Sequence, residues 1–189
     1  RAATVRPSSN TQRVIGRLAC ATRADLDDAV AAARRGFAVW RATAPARRAQ
    51  IMIDAAGRIR GQVERIATVM TMEQGKPMAQ SRLEIERACD IIEWDANEGR
   101  RVYGRQIPAE FGMTHLALRE PIGVVAAFSP WNFPISSPAR KLAGALAAGC
   151  SIVLKASEET PASAMLMVRA FEEGGVPPRA VSPLLACLP

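Results

Sequence analysis

The sequence PIGVVAAFSPWNFPISSPARKLAGALAAGCSIVLKASEETP occupies residues 121–161 and decides the fold. Residues 122–128 are apolar without alternation, which predicts a parallel strand buried on both faces. Residues 138–148 predict a helix closed by Gly149, at a position where a left-handed cap is common. Residues 151–155 then predict a second buried strand, so this stretch forms one β-α-β unit.

A further helix follows this unit. Thr160 and Pro161 suit the N-cap and the first turn of a helix that ends at 174–175. The order β-α-β-α predicts an α/β fold with a doubly wound parallel sheet. A third strand is expected next, but residues 181–189 contain a proline, which suits a strand interior poorly.

The residues before this stretch predict helices. Residues 22–25 resemble a capping box, and the helix that they open ends near Trp40. Pro45 begins a second apolar stripe, which predicts one helix as far as 75–77. A third helix is predicted over 78–102, with Glu and Arg side chains that pair at four-residue spacing.

Two short strand patterns lie outside these helices. Residues 106–110 and 113–119 predict a hairpin whose turn is 110–112. Residues 14–18 predict a short strand that leads into the first helix.

Composition excludes several classes of protein. With 49% hydrophobic and 23% charged residues, the chain is typical of a globular protein and not of a disordered one. No apolar run is long enough for a transmembrane helix, which argues against a membrane protein. The net charge is +7, but 22 of the 25 basic residues are scattered arginines and only 5% of residues are aromatic, which argues against a nucleic-acid partner.

The cysteines and the histidine do not predict a metal site. The four cysteines lie far apart without a C-x-x-C pair, and His115 is the only histidine. We interpret the cysteines as small buried side chains in a reducing compartment, which indicates a cytoplasmic location.

Residues 130–134, Pro-Trp-Asn-Phe-Pro, form the first candidate site. They follow a predicted strand at its carboxyl end, where open α/β sheets bind ligands. Trp131 offers a large flat surface, and the neutral amide of Asn132 could stabilise a developing oxyanion. The alternative is a structural turn with a packed tryptophan.

The second candidate site is the segment 155–159 after the next strand. Its position before a helix N-terminus suits the ribose and phosphates of a nucleotide. Lys155 can donate hydrogen bonds and Glu158 can accept them, and a carboxylate beside the ribose favours NAD over NADP. The alternative is an exposed, charged loop without a ligand.

At these residues the sequence resembles the aldehyde dehydrogenase superfamily. The resemblance rests on the strand, P-W-N-F-P, A-L-A-A-G and V-L-K-x-S-E-x-T-P elements of residues 124–161. It continues upstream through Glu-Gln-Gly-Lys-Pro at 73–77 and covers residues 9–178. Residues 98–108 look most like the succinate-semialdehyde dehydrogenase branch.

The resemblance implies an incomplete Rossmann-like cofactor domain with N-terminal helices and a bridging hairpin. On this basis we divide the chain into a mainly helical part at 1–104, an oligomerisation hairpin at 105–118, and a partial β-α-β-α segment at 119–189. Family members are homo-oligomers, so the parent protein is expected to be one too.

Residue roles follow from the same resemblance. Asn132 matches the oxyanion-hole asparagine, and Ala156 replaces a common proline in the adenosine-ribose site. The cofactor-binding set is expected to comprise Trp131, Asn132, Lys155, Ala156, Ser157 and Glu158.

The implied function is NAD(P)-dependent oxidation of an aldehyde, succinate semialdehyde above all, to the carboxylate. In the family a cysteine attacks the aldehyde and a glutamate activates the hydrolytic water. Both residues are expected beyond Pro189, and no cysteine here matches the motif, so the chain alone is expected to be inactive. Residues from Arg179 onward look unlike the family, which suggests a frameshift. The alternative function is a non-catalytic subunit-pairing or nucleotide-binding fragment.

Overall fold

A computed structural model describes residues 2–6, 12 and 14–184 of the chain. Within them lie six α-helices, one short 3-10 helix and seven strands. The helices are α1 Arg23–Ala42, α2 Pro45–Arg60, α3 Val63–Gln74, α4 Met78–Glu98, the 3-10 helix Gly99–Arg101, α5 Ser136–Ala147 and α6 Pro161–Glu173. The strands are β1 Ala2–Val5, β2 Gly16–Ala19, β3 Arg105–Ile107, β4 His115–Ala117, β5 Val124–Phe128, β6 Ser151–Lys155 and β7 Val181–Leu184.

The largest sheet is parallel and confirms the α/β fold class. Its strand order is β5-β6-β7, with α5 and α6 as the crossover connections. The expected difficulty with a third strand is not borne out, because β7 forms and includes Pro183 opposite Leu154. β7 is an edge strand in the described residues, and a proline is tolerated at such an edge because only one side of the strand needs donors.

Strand β5 differs from its prediction. The apolar run predicted burial on both faces, yet Ile122 is 88% exposed and Phe128 is 69% exposed. β5 lies at the other edge of this sheet, and β6 alone is buried along almost its whole length. An apolar sequence shows that a strand can be buried on both faces, but it is buried only where other strands or helices cover it.

The helices confirm most of the predicted boundaries and correct one. Thr22 and Asp25 form the predicted capping box at the start of α1. The second stripe is two helices, because α2 ends at Gly61 and α3 begins after Gln62. At the break the Gln62 amide bonds to the carbonyl of Ile59, three residues back, and this tighter turn interrupts the helix.

The charged side chains of α4 pair mainly with other helices, so the predicted four-residue pairing is wrong. Arg60 of α2 bonds to Glu93 and also reaches Glu86 and Asp90. These contacts hold α2 against α4, and the hydrogen bond that Arg60 donates to Glu93 raises the pKa of Arg60. A helical surface rich in both charges therefore binds a neighbouring helix here.

The core is continuous from the N-terminal helices to the sheet. Trp40 of α1 is fully buried, and its indole Nε1 donates to the carbonyl of Leu146 at 2.9 Å. Arg48 is also buried and donates to the carbonyls of Thr43 and Ala147 at helix C-termini, where a cation is favoured. The division at 104 and 118 stays a prediction, since helices before it share this core with α5, β6 and α6.

The small antiparallel pairs lie at the surface. Strands β3 and β4 form the predicted hairpin, and Gly112 in its turn has a φ of 85°. Every residue from 101 to 120 is exposed. The predicted strand at 14–18 is observed as β2, which pairs with β1.

Two of the cysteines fit the prediction of buried thiols. Cys89 and Cys150 are free and buried. Cys20 is disulfide-bonded, so the prediction that every cysteine is reduced is wrong for this residue. Cys187 lies outside the described residues.

Candidate functional site

Both candidate segments lie at the carboxyl edge of the parallel sheet, as predicted. Residues 129–135 connect β5 to α5, and residues 156–160 connect β6 to α6. The Ser129 amide donates to the carbonyl of Lys155 at 3.0 Å, which joins the beginnings of the two segments. The sheet therefore brings the two predicted sites side by side.

The first segment is held by its backbone and leaves its side chains exposed. Gln74 at the end of α3 donates from Nε2 to the carbonyls of Asn132 at 2.6 Å and Trp131 at 3.1 Å. Trp131 is 56% exposed, so the alternative of a packed tryptophan is wrong. The amide side chain of Asn132 lies on an exposed residue, where it can meet a ligand.

The second segment carries an internal ion pair. Lys155 Nζ lies 2.5 Å from Glu158 Oε2, and this hydrogen bond lowers the pKa of Glu158. Ser157 Oγ accepts from the Glu159 amide at 3.3 Å. Ala156 is buried, so a side chain at this position contributes packing and not a polar contact.

A cavity of about 400 Å³ lies between the two segments. It is lined by Glu73, Gln74, Trp131, Ser157, Glu158, Glu159 and Thr160. Three of the six predicted cofactor-binding residues thus share one cavity, whereas Asn132, Lys155 and Ala156 do not line it. The carboxylate of Glu158 and the hydroxyl of Ser157 beside a flat indole are groups that suit a ribose and its base. The residues present therefore fit the adenosine part of a dinucleotide.

Sequence reasoning missed Glu73, which holds the start of α6. Its carboxylate accepts from the amides of Ala162 at 2.7 Å and Ser163 at 2.9 Å, and from the Ser163 hydroxyl at 2.6 Å. Thr160 makes no side-chain cap bond, so Glu73 replaces the predicted local cap. Glu73 is 4% exposed, and burial raises the pKa of its carboxyl.

Sequence reasoning also missed Glu84, which holds the start of α5. Its Oε1 accepts from the amides of Ile135 at 2.9 Å and Ser136 at 3.1 Å. Its Oε2 forms an ion pair with Lys76, whose ammonium also lies 5.0 Å from the centre of the Phe133 ring. Residues 73–77 carried the family resemblance, but no local pattern indicates contacts with segments that are 50 to 90 residues away.

A second cavity of about 590 Å³ includes Phe133 in its lining. It is lined by Lys76, Gln80, Leu83, Glu84, Arg87, Ile91, Phe133, Ser136, Ser137 and Arg140. Among the described residues, neither Arg87 nor Arg140 has a carboxylate within ion-pair distance. These two guanidinium groups give the cavity a positive charge.

The described cysteines do not supply a nucleophile at this edge. Cys150 precedes β6, at the opposite end of the strand from Lys155. Cys89 lies within α4, and burial raises the pKa of its thiol to about 12. Within residues 2–6, 12 and 14–184 there is also no cluster of three or more side chains suited to a metal ion, and no helix is long and apolar enough to cross a membrane.

Comparison with known proteins identifies one family. The model of the aldehyde dehydrogenase family matches residues 1–186. This match extends past residue 178, so the expectation that the resemblance ends there is wrong. The family uses NAD(P) as its cofactor.

Curated relatives are similar in sequence and much longer. The chain is 45% identical over 174 residues to 4-(hydroxymethyl)benzenesulfonate dehydrogenase TsaD1 of Comamonas testosteroni, covering 86% of this chain and 37% of that protein. It is 42% identical over 157 residues to the NADP+ succinate-semialdehyde dehydrogenase GabD of Escherichia coli, covering 82% and 32%. The chain thus spans about a third of the length of these relatives.

A solved structure shows the same fold. Succinate-semialdehyde dehydrogenase from Burkholderia pseudomallei superimposes with a TM-score of 0.96 at 36% identity, over 99% of this chain and 39% of that one. The described elements are thus arranged as in a part of that enzyme.

Proposed function

The chain belongs to the aldehyde dehydrogenase family. From this premise we propose that the complete enzyme that contains this sequence oxidises an aldehyde that carries a second, anionic group. The product is the corresponding carboxylate, and NAD(P) accepts the hydride when bound. Succinate semialdehyde is the substrate that we propose for the first assay.

The positive cavity beside Phe133 is the observation that carries this proposal. Arg87 and Arg140 line it, and among the described residues neither forms an ion pair, although Asp95 interacts electrostatically with Arg140 at longer range. Guanidinium groups that form no ion pair favour a carboxylate or a sulfonate, which they can bind through two parallel hydrogen bonds. The cavity adjoins the segment that carries Asn132, so a substrate anchored there would present its other end to the exposed edge of the sheet.

Two relatives support an anionic substrate. TsaD1 is named for a benzenesulfonate and GabD for succinate semialdehyde, and each of these two compounds carries an acidic group. What the two names share is the anion, which matches the charge of the cavity.

We propose that Asn132 donates its side-chain amide to the oxygen of the reacting aldehyde. This group is neutral, so it stabilises negative charge in the transition state without losing a proton. Removing such a donor typically costs about 3 kcal/mol of transition-state stabilisation.

Trp131, Ser157 and Glu158 bind the adenosine part of the cofactor in the adjacent cavity, with Lys155 orienting Glu158 and Ala156 packing beneath them. We propose NAD as the preferred cofactor, because the carboxylate of Glu158 would repel the 2′-phosphate that NADP carries on its adenosine ribose.

We further propose that these 189 residues do not turn over by themselves. Cys20 is disulfide-bonded, Cys89 is buried with a raised pKa, and Cys150 lies at the wrong end of β6. The test is NAD(P)H formation from succinate semialdehyde by the purified chain, compared with a heat-treated sample. Turnover above that control would contradict this part of the proposal.

The substrate proposal is tested on the complete enzyme that contains this sequence. Succinate semialdehyde is compared with butanal, which has the same carbon chain and lacks the carboxylate. We expect Arg140→Met to lower kcat/KM for succinate semialdehyde roughly 10- to 100-fold, since hydrogen bonds to charged groups contribute about 1.5–3 kcal/mol. The rate with butanal should change little.

The matched control replaces another exposed arginine outside the cavity. Arg169 lies on α6 and does not line either cavity, so Arg169→Met should leave both substrates unaffected. An equal loss with both aldehydes, or no loss with either, would show that the cavity does not bind the acidic group.

A cytoplasmic homo-oligomer completes the proposal. The exposed hairpin presents apolar side chains such as Leu116 and Leu118, which suits contact with another subunit. The free buried thiols of Cys89 and Cys150 support a reducing compartment, whereas the disulfide at Cys20 does not. The same hairpin supports the alternative of a non-catalytic pairing fragment, which light scattering together with nucleotide titration would distinguish: dimers without nucleotide binding favour it.

A further inference from the structure

Two consecutive residues at the end of α3 hold the two walls of the smaller cavity. Glu73 binds the first amides of α6, directly after the wall that contains Ser157 and Glu158. Gln74 binds the backbone carbonyls of the wall that contains Trp131. Both residues also line the cavity themselves.

The Glu73 contact does more than satisfy a helix end. A local threonine cap would serve that purpose, yet Thr160 stands at the N-cap position and makes no cap bond. The carboxylate comes instead from a helix 89 residues earlier in the chain, and it is 4% exposed. Among the described residues it forms no ion pair, so the α6 amides and the Ser163 hydroxyl are the groups that stabilise its charge.

Adjacency of the two residues links the walls geometrically. Consecutive Cα atoms are about 3.8 Å apart across a trans peptide, and the last turn of α3 fixes their relative direction. Gly75 then ends the helix in a left-handed conformation with a φ of 82°. A shift of either wall therefore requires a broken hydrogen bond at Glu73 or Gln74.

We propose that Glu73 and Gln74 are positioning residues that set the separation between Trp131 and Glu158, and thereby the affinity for the adenosine part of NAD(P). This inference rests on the proposed function, because it assumes that a nucleotide binds in this cavity. Neither residue needs to touch the nucleotide for the effect.

The test measures AMP binding to the 189-residue chain by isothermal titration calorimetry. The variants are Glu73→Gln, which keeps the shape but loses the charge, Gln74→Leu, which loses both donor contacts, and their combination. Each single variant should weaken AMP binding roughly tenfold, the effect of losing one charge-assisted or two neutral hydrogen bonds. The double variant should be little weaker than either single one, because both changes release the same spacing.

The matched control is Glu64→Gln on the same helix. Glu64 lies in the first turn of α3, pairs with exposed Arg82 and is remote from the cavity. The control should bind AMP like the unaltered chain, and thermal melts of all variants show whether each one is folded at the titration temperature.

The outcomes separate the two proposals. Unaltered AMP affinity in folded Glu73→Gln and Gln74→Leu would overturn this inference and leave the proposed function standing. Fully additive losses would also overturn it, since independent contacts do not share one spacing. An unaltered chain that binds no AMP would overturn this inference together with the adenosine-binding roles proposed for Trp131, Ser157 and Glu158, and would leave the proposed aldehyde oxidation to its own assay.

Discussion

Replacing Glu84 by glutamine is expected to destabilise the protein by about 3 kcal/mol. The carboxylate is 4% exposed and the Lys76 side chain is 12% exposed, so their ion pair is largely shielded from water. The Oε1 atom of glutamine can still accept from both backbone amides at the start of α5. It cannot neutralise Lys76, and breaking a buried pair by removing one partner costs about 3–5 kcal/mol.

The lower end of this range follows from the surroundings of Lys76. Its ammonium keeps a contact of 3.4 Å with the carbonyl of Asn132 and lies 5.0 Å from the ring centre of Phe133. A cation over an aromatic ring retains about 0.5–2 kcal/mol of attraction. Lys76→Met should cost less, about 1–2 kcal/mol, because Glu84 keeps two backbone donors at a helix N-terminus.

Urea unfolding followed by circular dichroism measures these differences, provided that the m-values agree. The double variant Lys76→Met/Glu84→Gln is the informative control, because it contains neither charge. It should be more stable than Glu84→Gln alone. Losses that simply add in the double variant, or a loss below about 1 kcal/mol for Glu84→Gln, would refute the buried ion pair as the source of this stability.

Three further predictions concern other parts of the chain. Because burial raises the pKa of Cys89 to about 12, iodoacetamide should not modify it in the native protein near neutral pH, but should do so in guanidinium, as mass spectrometry can show. Gly36→Ala should lower the melting temperature, since its Cβ would lie 2.4 Å from the backbone that leads into β7, whereas Gly57→Ala in open space should raise it; equal effects would contradict the contact. Lys155→Met should raise the pKa of Glu158 in an NMR titration, because the hydrogen bond from Lys155 is what lowers this pKa below the ordinary value of 4.5. In the unaltered protein this hydrogen bond stabilises the fold above pH 4.5, and the stabilisation is lost as the pH falls through the lowered pKa; an unchanged pKa in the variant would exclude the pair.

Local patterns predicted the elements that local forces determine. The capping box at Thr22, the left-handed Gly149 and the buried strand β6 all depend on residues close in sequence. The break at Gly61 was missed because the apolar stripe continues across it. Gly61 itself could have indicated the break, but a prediction from the spacing of apolar residues gives no weight to a single glycine.

The candidate site was predicted only in part for a related reason. The carboxyl ends of two parallel strands predicted that Trp131 and Glu158 lie at the same edge of the sheet, and both line one cavity there. That a cofactor binds in this cavity stays a prediction. The residues that hold those segments are acidic side chains in helices, which usually face water. Nothing near Glu73 or Glu84 in the sequence indicates that either carboxylate is buried at the start of a helix, because the backbone amides that donate to them are 51 to 90 residues away.

The long reach of Glu73 and Glu84 also has a consequence for the order of folding. Both carboxylates belong to helices that precede the sheet in the chain, so the loops at the sheet edge can adopt their final form only after α3 and α4 have docked. Contacts between distant residues form slowly, since a long loop must close before the contact stabilises it. The cavity between the two segments is therefore expected to be among the last parts to become ordered. A peptide of residues 119–189 alone would lack Glu73 and Glu84, whose carboxylates hold those segments in place.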